Sequence, residues 1–327
     1  MKTASKNLQV QKWIAAVSVL ILFVKFIAYY TTHSVSILTD ALESIVNVAA
    51  GFIGLYSLYI AAKPRDTDHP YGHGKAEFLS AAIEGTLIVS AGAIIIYKAV
   101  QHLIFPVEIN KIDYGIILVA ATTVVNFVMG FMAVKKGKSS NSVALVASGR
   151  HLQSDSYSTL GIILGLFLIL FTGMKWIDSA VAIVFGIFIS YTGYKILRKS
   201  IAGIMDEADI ELLGKMVQVL NINRRENWVD LHNLRVIKYG SLIHLDCHLT
   251  VPWFLNIHEA HREVDALSLL IRKEFGDAIE LFVHTDGCLP FSCKICNKKN
   301  CSERKHNFEK QINWTKETIL QNQKHHI

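Results

Sequence analysis

Gly149-Arg150-His151-Leu152-Gln153-Ser154-Asp155 opens a run that stays apolar as far as Phe171. It sets an imidazole and a carboxylate four residues apart. On a helix those positions lie on one face, about one turn from each other, so His151 and Asp155 can reach one ion. A carboxylate at the centre of a lipid-spanning helix costs about 2.5–3.5 kcal/mol, and an ionisable group held there is by default a functional one. An earlier apolar run carries a matching face: Asp40, Glu43 and Asn47 fall at i, i+3 and i+7. The two faces are expected to meet and hold one divalent metal ion at membrane depth.

The rest of the chain agrees with a membrane setting. Hydrophobic residues make up 51% of the sequence and mean hydropathy is +0.34. They collect in six runs of membrane-spanning length, about Trp13–Tyr30, Ile37–Ala62, Glu77–Phe105, Tyr114–Val134, Val143–Phe171 and Trp176–Leu197. The net charge of +6 does not point to nucleic acid, because the basic residues sit where topology places them. Lys2, Lys6 and Lys12 precede the first run. Lys63, Arg65 and Lys75 lie between the second and third, Lys135, Lys136 and Lys138 between the fourth and fifth, and Arg198 and Lys199 follow the sixth. The opposite loops carry Lys111 and Lys175. The excess of positive charge puts both termini in the cytoplasm, and a multi-pass protein of the cell membrane is expected. The first run is long enough to span and lacks a small-residue cleavage site.

The loop after the second run reads Lys63-Pro64-Arg65-Asp66-Thr67-Asp68-His69-Pro70-Tyr71-Gly72-His73-Gly74-Lys75-Ala76-Glu77. Its prolines and glycines keep it out of regular helix until Lys75. Asp66, Asp68, His69 and His73 are four candidate metal ligands; a solvated acidic loop is the bland alternative.

These motifs resemble the cation diffusion facilitators, the cation-efflux transporters. The resemblance rests on His69 to Glu77 (H-P-x-G-H-G-K-x-E), on Asp40 to Asn47 (D-A-L-E-S-I-V-N) and on His151 to Asp155 (H-x-x-S-D), and it covers about residues 10–288. It implies a transport site of two residues from span two and two from span five, here Glu43, Asn47, His151 and Asp155. Asp40 assists or takes part in proton coupling. Zinc-type members usually have Asp or His followed by Asp in span two; Glu43 and Asn47 depart from that. Imidazole and carboxylate suit zinc, iron and manganese alike, so the order of expectation is zinc first, then iron or manganese.

After Ser200 charges become frequent and a soluble region begins. Glu207–Leu220 and Ile257–Phe275 read as helices, and Val229–Lys238, Leu242–Val251 and Ala278–His284 as strands. Tyr239-Gly240-Ser241 makes a hairpin turn. This order predicts a small α+β sandwich with an antiparallel sheet, which is similar to the family's dimerising, metallochaperone-like domain. The resemblance places His232, His248, His261, His284 and Asp286 at its regulatory metal site, while His244 and His258 read as surface residues. The domains are then residues 1–205 in the membrane, 206–287 in the cytoplasmic domain and 288–327 in a tail.

The five cysteines all lie in the cytoplasmic part, where disulfides are unfavoured. Four of them form Cys288-x4-Cys293-x2-Cys296-x4-Cys301, a spacing that suits a closed tetrahedral zinc site. Phe308–Gln321 reads as a short surface helix, and His325 and His326 as a mobile terminus.

The function expected is efflux of a divalent metal in exchange for protons by a homodimer in the bilayer, with metal as both substrate and regulator. Metal and protons compete for the same ligands, and an imidazole, whose unperturbed pKa is about 6.5, is suited to exchange a proton for metal at His151. A membrane-embedded metalloenzyme needs an activated water with a general base beside it, and no such motif is present. A metal sensor with a mere membrane anchor leaves Asp40, Glu43 and Asp155 without a purpose.

Overall fold

The computed structural model describes residues 2–32, 35–105, 114–172, 176–240 and 242–327, with side chains left aside at 2–5, 28–29, 31–32, 35–40, 42–43, 114–119, 162–172 and 177–178. The chain forms two compact units, Met1–Met205 and Asp206–Ile327.

The first unit holds six long helices: α1 (Lys2–Thr32), α2 (Val35–Ala61), α3 (Ala76–Ile104), α4 (Tyr114–Ser139), α5 (Val143–Thr172) and α6 (Trp176–Ile204). The shortest, α4, has 26 residues. At 1.5 Å per residue that is about 39 Å, more than a hydrocarbon core of ~30 Å. Among the described residues α1, α2, α3 and α6 are both long and apolar enough to cross a membrane. The N-terminal half of α5 is more polar, with Arg150, His151, Gln153, Ser154 and Asp155 within six residues.

Burial in this unit is inverted relative to a water-soluble bundle. Leu20, Phe23, Phe52, Tyr56, Phe131 and Phe188 face outward, while Gln11, Lys25, Asn47, Glu84, Asn126, Ser148 and His151 are buried. Helices whose outer surface is apolar and whose polar groups turn inward are solvated by lipid. Small residues draw them together. A Cβ on Gly85 of α3 would come 2.8 Å from the Leu197 nitrogen and 3.1 Å from the Gly193 carbonyl on α6. Between α4 and α5, Gly130 and Gly149 meet in the same way, each within 2.7 Å of the other's carbonyl oxygen if given a Cβ.

The second unit is α+β. Helix α7 (Ile210–Ile222) starts at Asp209, whose side chain accepts from the Leu212 amide, and buries Leu213, Met216, Val217 and Leu220 at helical spacing. Strands β1 (Asp230–Tyr239) and β2 (Leu242–Val251) pair antiparallel. Helix α8 (Ile257–Phe275) opens on a reciprocal Asn256–Glu259 capping box, buries Glu263, Leu267 and Ile271, and ends at Gly276 with φ +91°. Strand β3 (Ile279–Gly287) then pairs with β2.

That last pairing is parallel, which corrects the expectation of an antiparallel sheet. The connection from β2 to β3 runs through α8, and a helical crossover returns the chain to the end where β2 began. The sheet order is β1-β2-β3. Leu245, Cys247, Leu249 and Val251 of β2 enter a core with Leu231, Leu267, Ile271 and Trp228.

The tail also departs from expectation. Between 308 and 321 only Lys316–Ile319, helix α9, is helical. Trp314 and Ile319 lie inside the domain core, and His325 is buried. The tail is therefore a built part of the α+β unit, because its two apolar anchors have a core to enter.

Candidate metal centres

In the membrane unit the decisive contact joins α2 to α5. Asn47 and His151 are both buried, and His151 Nε2 lies 3.0 Å from Asn47 Oδ1. Asp155 follows one turn later on α5, half-buried. An imidazole, an amide oxygen and a carboxylate are all hard or borderline donors suited to a divalent first-row metal. Asp40 and Glu43 belong to α2, but their side chains lie outside the described residues.

In the loop before α3, Asp66, His69 and His73 present donor atoms within 4.8 Å of one another. Asp66 accepts from the His69 amide at 2.7 Å, and its two oxygens stand 3.0 Å from His69 Nδ1 and 3.3 Å from His73 Nε2. Gly72, at φ +89°, allows the turn that brings His73 back. Loss of hydration opposes the charge of Asp66, but the hydrogen bonds and charge of His69, with the charge of His73, outweigh it and lower its pKa. Asp68 is exposed and is not part of this trio.

In the α+β unit, strand register builds a third group. His232 stands opposite His248, and His248 opposite His284, so the three imidazoles form one rung across the sheet. Asp286 is two residues beyond His284 on the same face. His232, His248 and Asp286 hold donor atoms within 4.8 Å, with Asp286 Oδ2 3.7 Å from His232 Nε2 and 3.4 Å from His248 Nδ1. His284 Nε2 is 3.7 Å from the other Asp286 oxygen. Exposure rises along the rung, from 4% at the His232 side chain to 32% at His248 and 66% at His284. The site is thus closed at β1 and open at β3. Burial, followed by the neighbouring His232, lowers the His248 pKa, partly offset by Asp286.

A bulge in β1 between His232 and Arg235 aims the closed end, with Asn233 at φ +52°. His261 stands apart on α8, exposed, 3.6 Å from Asp265. His244 is not a surface residue as expected: it is buried, with Nδ1 3.0 Å from Glu280 Oε2 on the neighbouring strand. His258 is exposed.

The cation efflux transmembrane domain matches residues 12–205, and the cytoplasmic domain of cation efflux proteins matches residues 215–288. The chain belongs to the cation-efflux family. An uncharacterised transporter of Synechocystis is 33% identical over 246 residues, covering 75% of this chain and 79% of the relative. The cation-efflux pump FieF of Shewanella oneidensis is 25% identical over 272 residues, covering 83% and 90%. FieF of Pectobacterium atrosepticum is 28% identical over 279 residues, covering 83% and 89%. Members of the family are transporters of divalent cations and not enzymes, so the chain is a multi-pass membrane transporter with a cytoplasmic α+β domain.

Cys288, the last residue of the matched region, and Cys293, Cys296 and Cys301 beyond it line one cavity of about 440 Å³ with Trp253, Phe254 and Arg304. Arg304 donates to the carbonyls of Cys293, Cys296 and Lys298, and the Lys305 amide to the Cys293 sulfur at 3.4 Å. Burial raises the Cys288 thiol, and its three neighbouring cysteines add to the shift. Cys247 is a different case: burial in the core pushes it up to about 12, so it behaves as a small hydrophobe.

Two buried carboxylates gain roles that the sequence left unassigned. Glu84 of α3 is fully buried and accepts from Ser148 of α5 at 2.8 Å; Ser148 in turn accepts from Gln11 of α1 at 3.0 Å. Ser148 is one turn before His151, so this network braces the part of α5 that carries His151. Glu77, the last residue of the loop motif, accepts from Ser142 Oγ and from the Ala144 amide at 3.4 Å. It caps the N-terminus of α5, where a negative charge is favourable. A polar residue inside an apolar run was the available signal for both; its partner on another helix was not.

Proposed function

We propose that this protein exports a divalent metal, zinc before iron or manganese, from the cytoplasm in exchange for protons. The transport ligands are Asn47 and His151 with Asp155 and Glu43, assisted by Asp40. The observation that carries the reading is the buried 3.0 Å approach of His151 Nε2 to Asn47 Oδ1 between α2 and α5. Glu43 and Asp155 supply two negative charges, enough to neutralise one divalent cation, and neutral His151 supplies the nitrogen. All six long helices cross the bilayer in this reading, with both termini cytoplasmic as the basic loops require.

Transport follows by alternating access. The ion enters from the cytoplasmic face and binds where α2 meets α5; the helices rock, and the site opens to the other side. Protons arriving there take the ligand lone pairs and release the metal, since the ligands hold metal only when deprotonated. The cytoplasmic domain pairs two chains in a homodimer. There His232, His248, His284 and Asp286 bind regulatory metal, and His261, apart from them on α8 within one chain, completes the site across the paired chains. Asp66, His69 and His73, with Asp68 nearby, form an accessory loop site, and the four tail thiols form a tetrahedral zinc site.

Metal uptake into proteoliposomes under a proton gradient tests the reading, with zinc, iron, manganese, cobalt and cadmium offered in turn. Asp155→Ala is expected to abolish uptake and His151→Ala to reduce it at least tenfold, an effect of about 1.4 kcal/mol or more. Wild-type flux in Asp155→Ala overturns the site, and flux that ignores the gradient overturns the antiport.

A further inference from the structure

The last residues of the tail lie on the metal group of the cytoplasmic domain. From α9 the chain runs beside the edge of β1, and the Asn233 amide in the bulge donates to the Gln321 carbonyl at 2.8 Å. Lys324 Nζ then reaches Asp286 Oδ1 at 3.5 Å and donates to the Gly287 carbonyl at 2.9 Å. His325 follows, with its amide 2.9 Å from Asp230 Oδ2 and its Nδ1 2.6 Å from Asp230 Oδ1. Asp230 in turn stands behind His232, 3.5 Å from its Nδ1, while His232 Nε2 faces Asp286. The segment is held at its other end as well. Trp314 is buried under the Arg224 guanidinium at 4.0 Å, and Arg224 donates to the Ile312 carbonyl.

We propose that residues 324 and 325 are a built-in regulator of metal affinity at this cytoplasmic site. The inference rests on reading His232, His248 and Asp286 as metal ligands, and it concerns two side chains outside that set. Lys324 is a tethered cation at the single carboxylate among those three ligands. An incoming divalent ion meets a positive charge already placed there, so metal binds only when it displaces that ammonium. Lys324 therefore raises the metal concentration at which the site fills. His325 acts in the opposite direction as a positioning residue. It fixes the Asp230 carboxylate, which orients the His232 ring so that Nε2 points at the ion, the arrangement by which a carboxylate behind a histidine strengthens a metal site. One short segment thus both opposes the ion, through Lys324, and preshapes its site, through His325.

The test uses full-length protein in detergent carrying Asp155→Ala, which silences the membrane ligands. Zinc is titrated against a chromophoric chelator, and the component lost on His248→Ala reports the cytoplasmic site. Lys324→Met is expected to tighten that component about tenfold, the effect of removing one positive charge beside the ion. Lys324→Arg, which keeps the charge, is expected to leave it near wild type. His325→Ala is expected to weaken it about 10–100-fold, and His325→Asn, which keeps a donor toward Asp230, to recover most of the loss. Because His325→Ala can unseat the tail, the Lys324 pair is decisive. Unchanged or weaker zinc binding in Lys324→Met, at a wild-type melting temperature, overturns the proposal and leaves the ligand assignment standing. Absence of any zinc component sensitive to His248→Ala overturns the assignment itself.

Discussion

Glu84 shows most directly how a single side chain is constrained in this bundle. Its carboxyl is fully buried and touches Ser148 at 2.8 Å. Truncating it leaves a polar cavity with a hydroxyl short of one partner, an effect of about 1–3 kcal/mol. Glu84→Ala is therefore expected to lower the melting temperature in detergent, while Glu84→Gln, which keeps an acceptor for Ser148, stays close to wild type. The sequence marked Asn47 and His151 as polar residues in apolar company, while Glu84 stood in an apolar run with no role assigned. It could not pair them. That His151 meets Asn47, and that Glu84 meets Ser148, depends on how helices far apart in the chain are rotated against each other.

At the level of elements, packing is as specific as pairing. The seam between α3 and α6 admits no side chain at Gly85. Gly85→Val is expected to force the helices apart, costing about 1–3 kcal/mol, visible as a lower melting temperature. In the cytoplasmic domain the tail is an element whose hold depends on pH. The hydrogen bond to Asp230 raises the His325 pKa. Its contribution is complete below the unfolded value of about 6.5 and is lost as pH rises through the folded value. Asp230 is shifted the other way. Burial opposes its charge, but the nearby His232 imidazole, 3.5 Å away, and the hydrogen bonds from His325 prevail and hold its pKa well below the carboxylate range. Its contribution is complete above about pH 3.9 and is lost as pH falls through the folded value. Residues 321–326 are thus expected to show their greatest hydrogen-exchange protection between about pH 4 and 6.5, falling on the alkaline side; protection that rises from pH 6 to 9 contradicts this. Strand positions were legible from alternation, but strand direction was not, because an alternating segment reads the same in either sense. The α8 crossover decided that β3 runs parallel to β2, and with it that Glu280 lies beside His244 and buries it.

The whole molecule joins two solvents. One unit turns apolar side chains outward and the other encloses them, and each has its own core. Residues 206–327 expressed alone are expected to unfold in one cooperative transition; a chain lacking secondary structure by circular dichroism contradicts that independence. Within that fragment, the proposed thiol site predicts that Cys293→Ser with Cys296→Ser lowers the bound zinc measured by elemental analysis and exposes residues 297–306 to protease, without removing the component sensitive to His248→Ala. The amino-acid sequence by itself determined the class: runs of spanning length, charge asymmetry between loops, the His69–Glu77 motif and the two polar faces are local patterns, and membrane insertion responds to local hydropathy. Only tertiary structure decided that the tail is a folded part of the domain, that His232, His248 and Asp286 converge, and that Lys324 and His325 lie over them. Those contacts join residues up to 95 positions apart, and no periodicity in a chain encodes which distant segments will share a face.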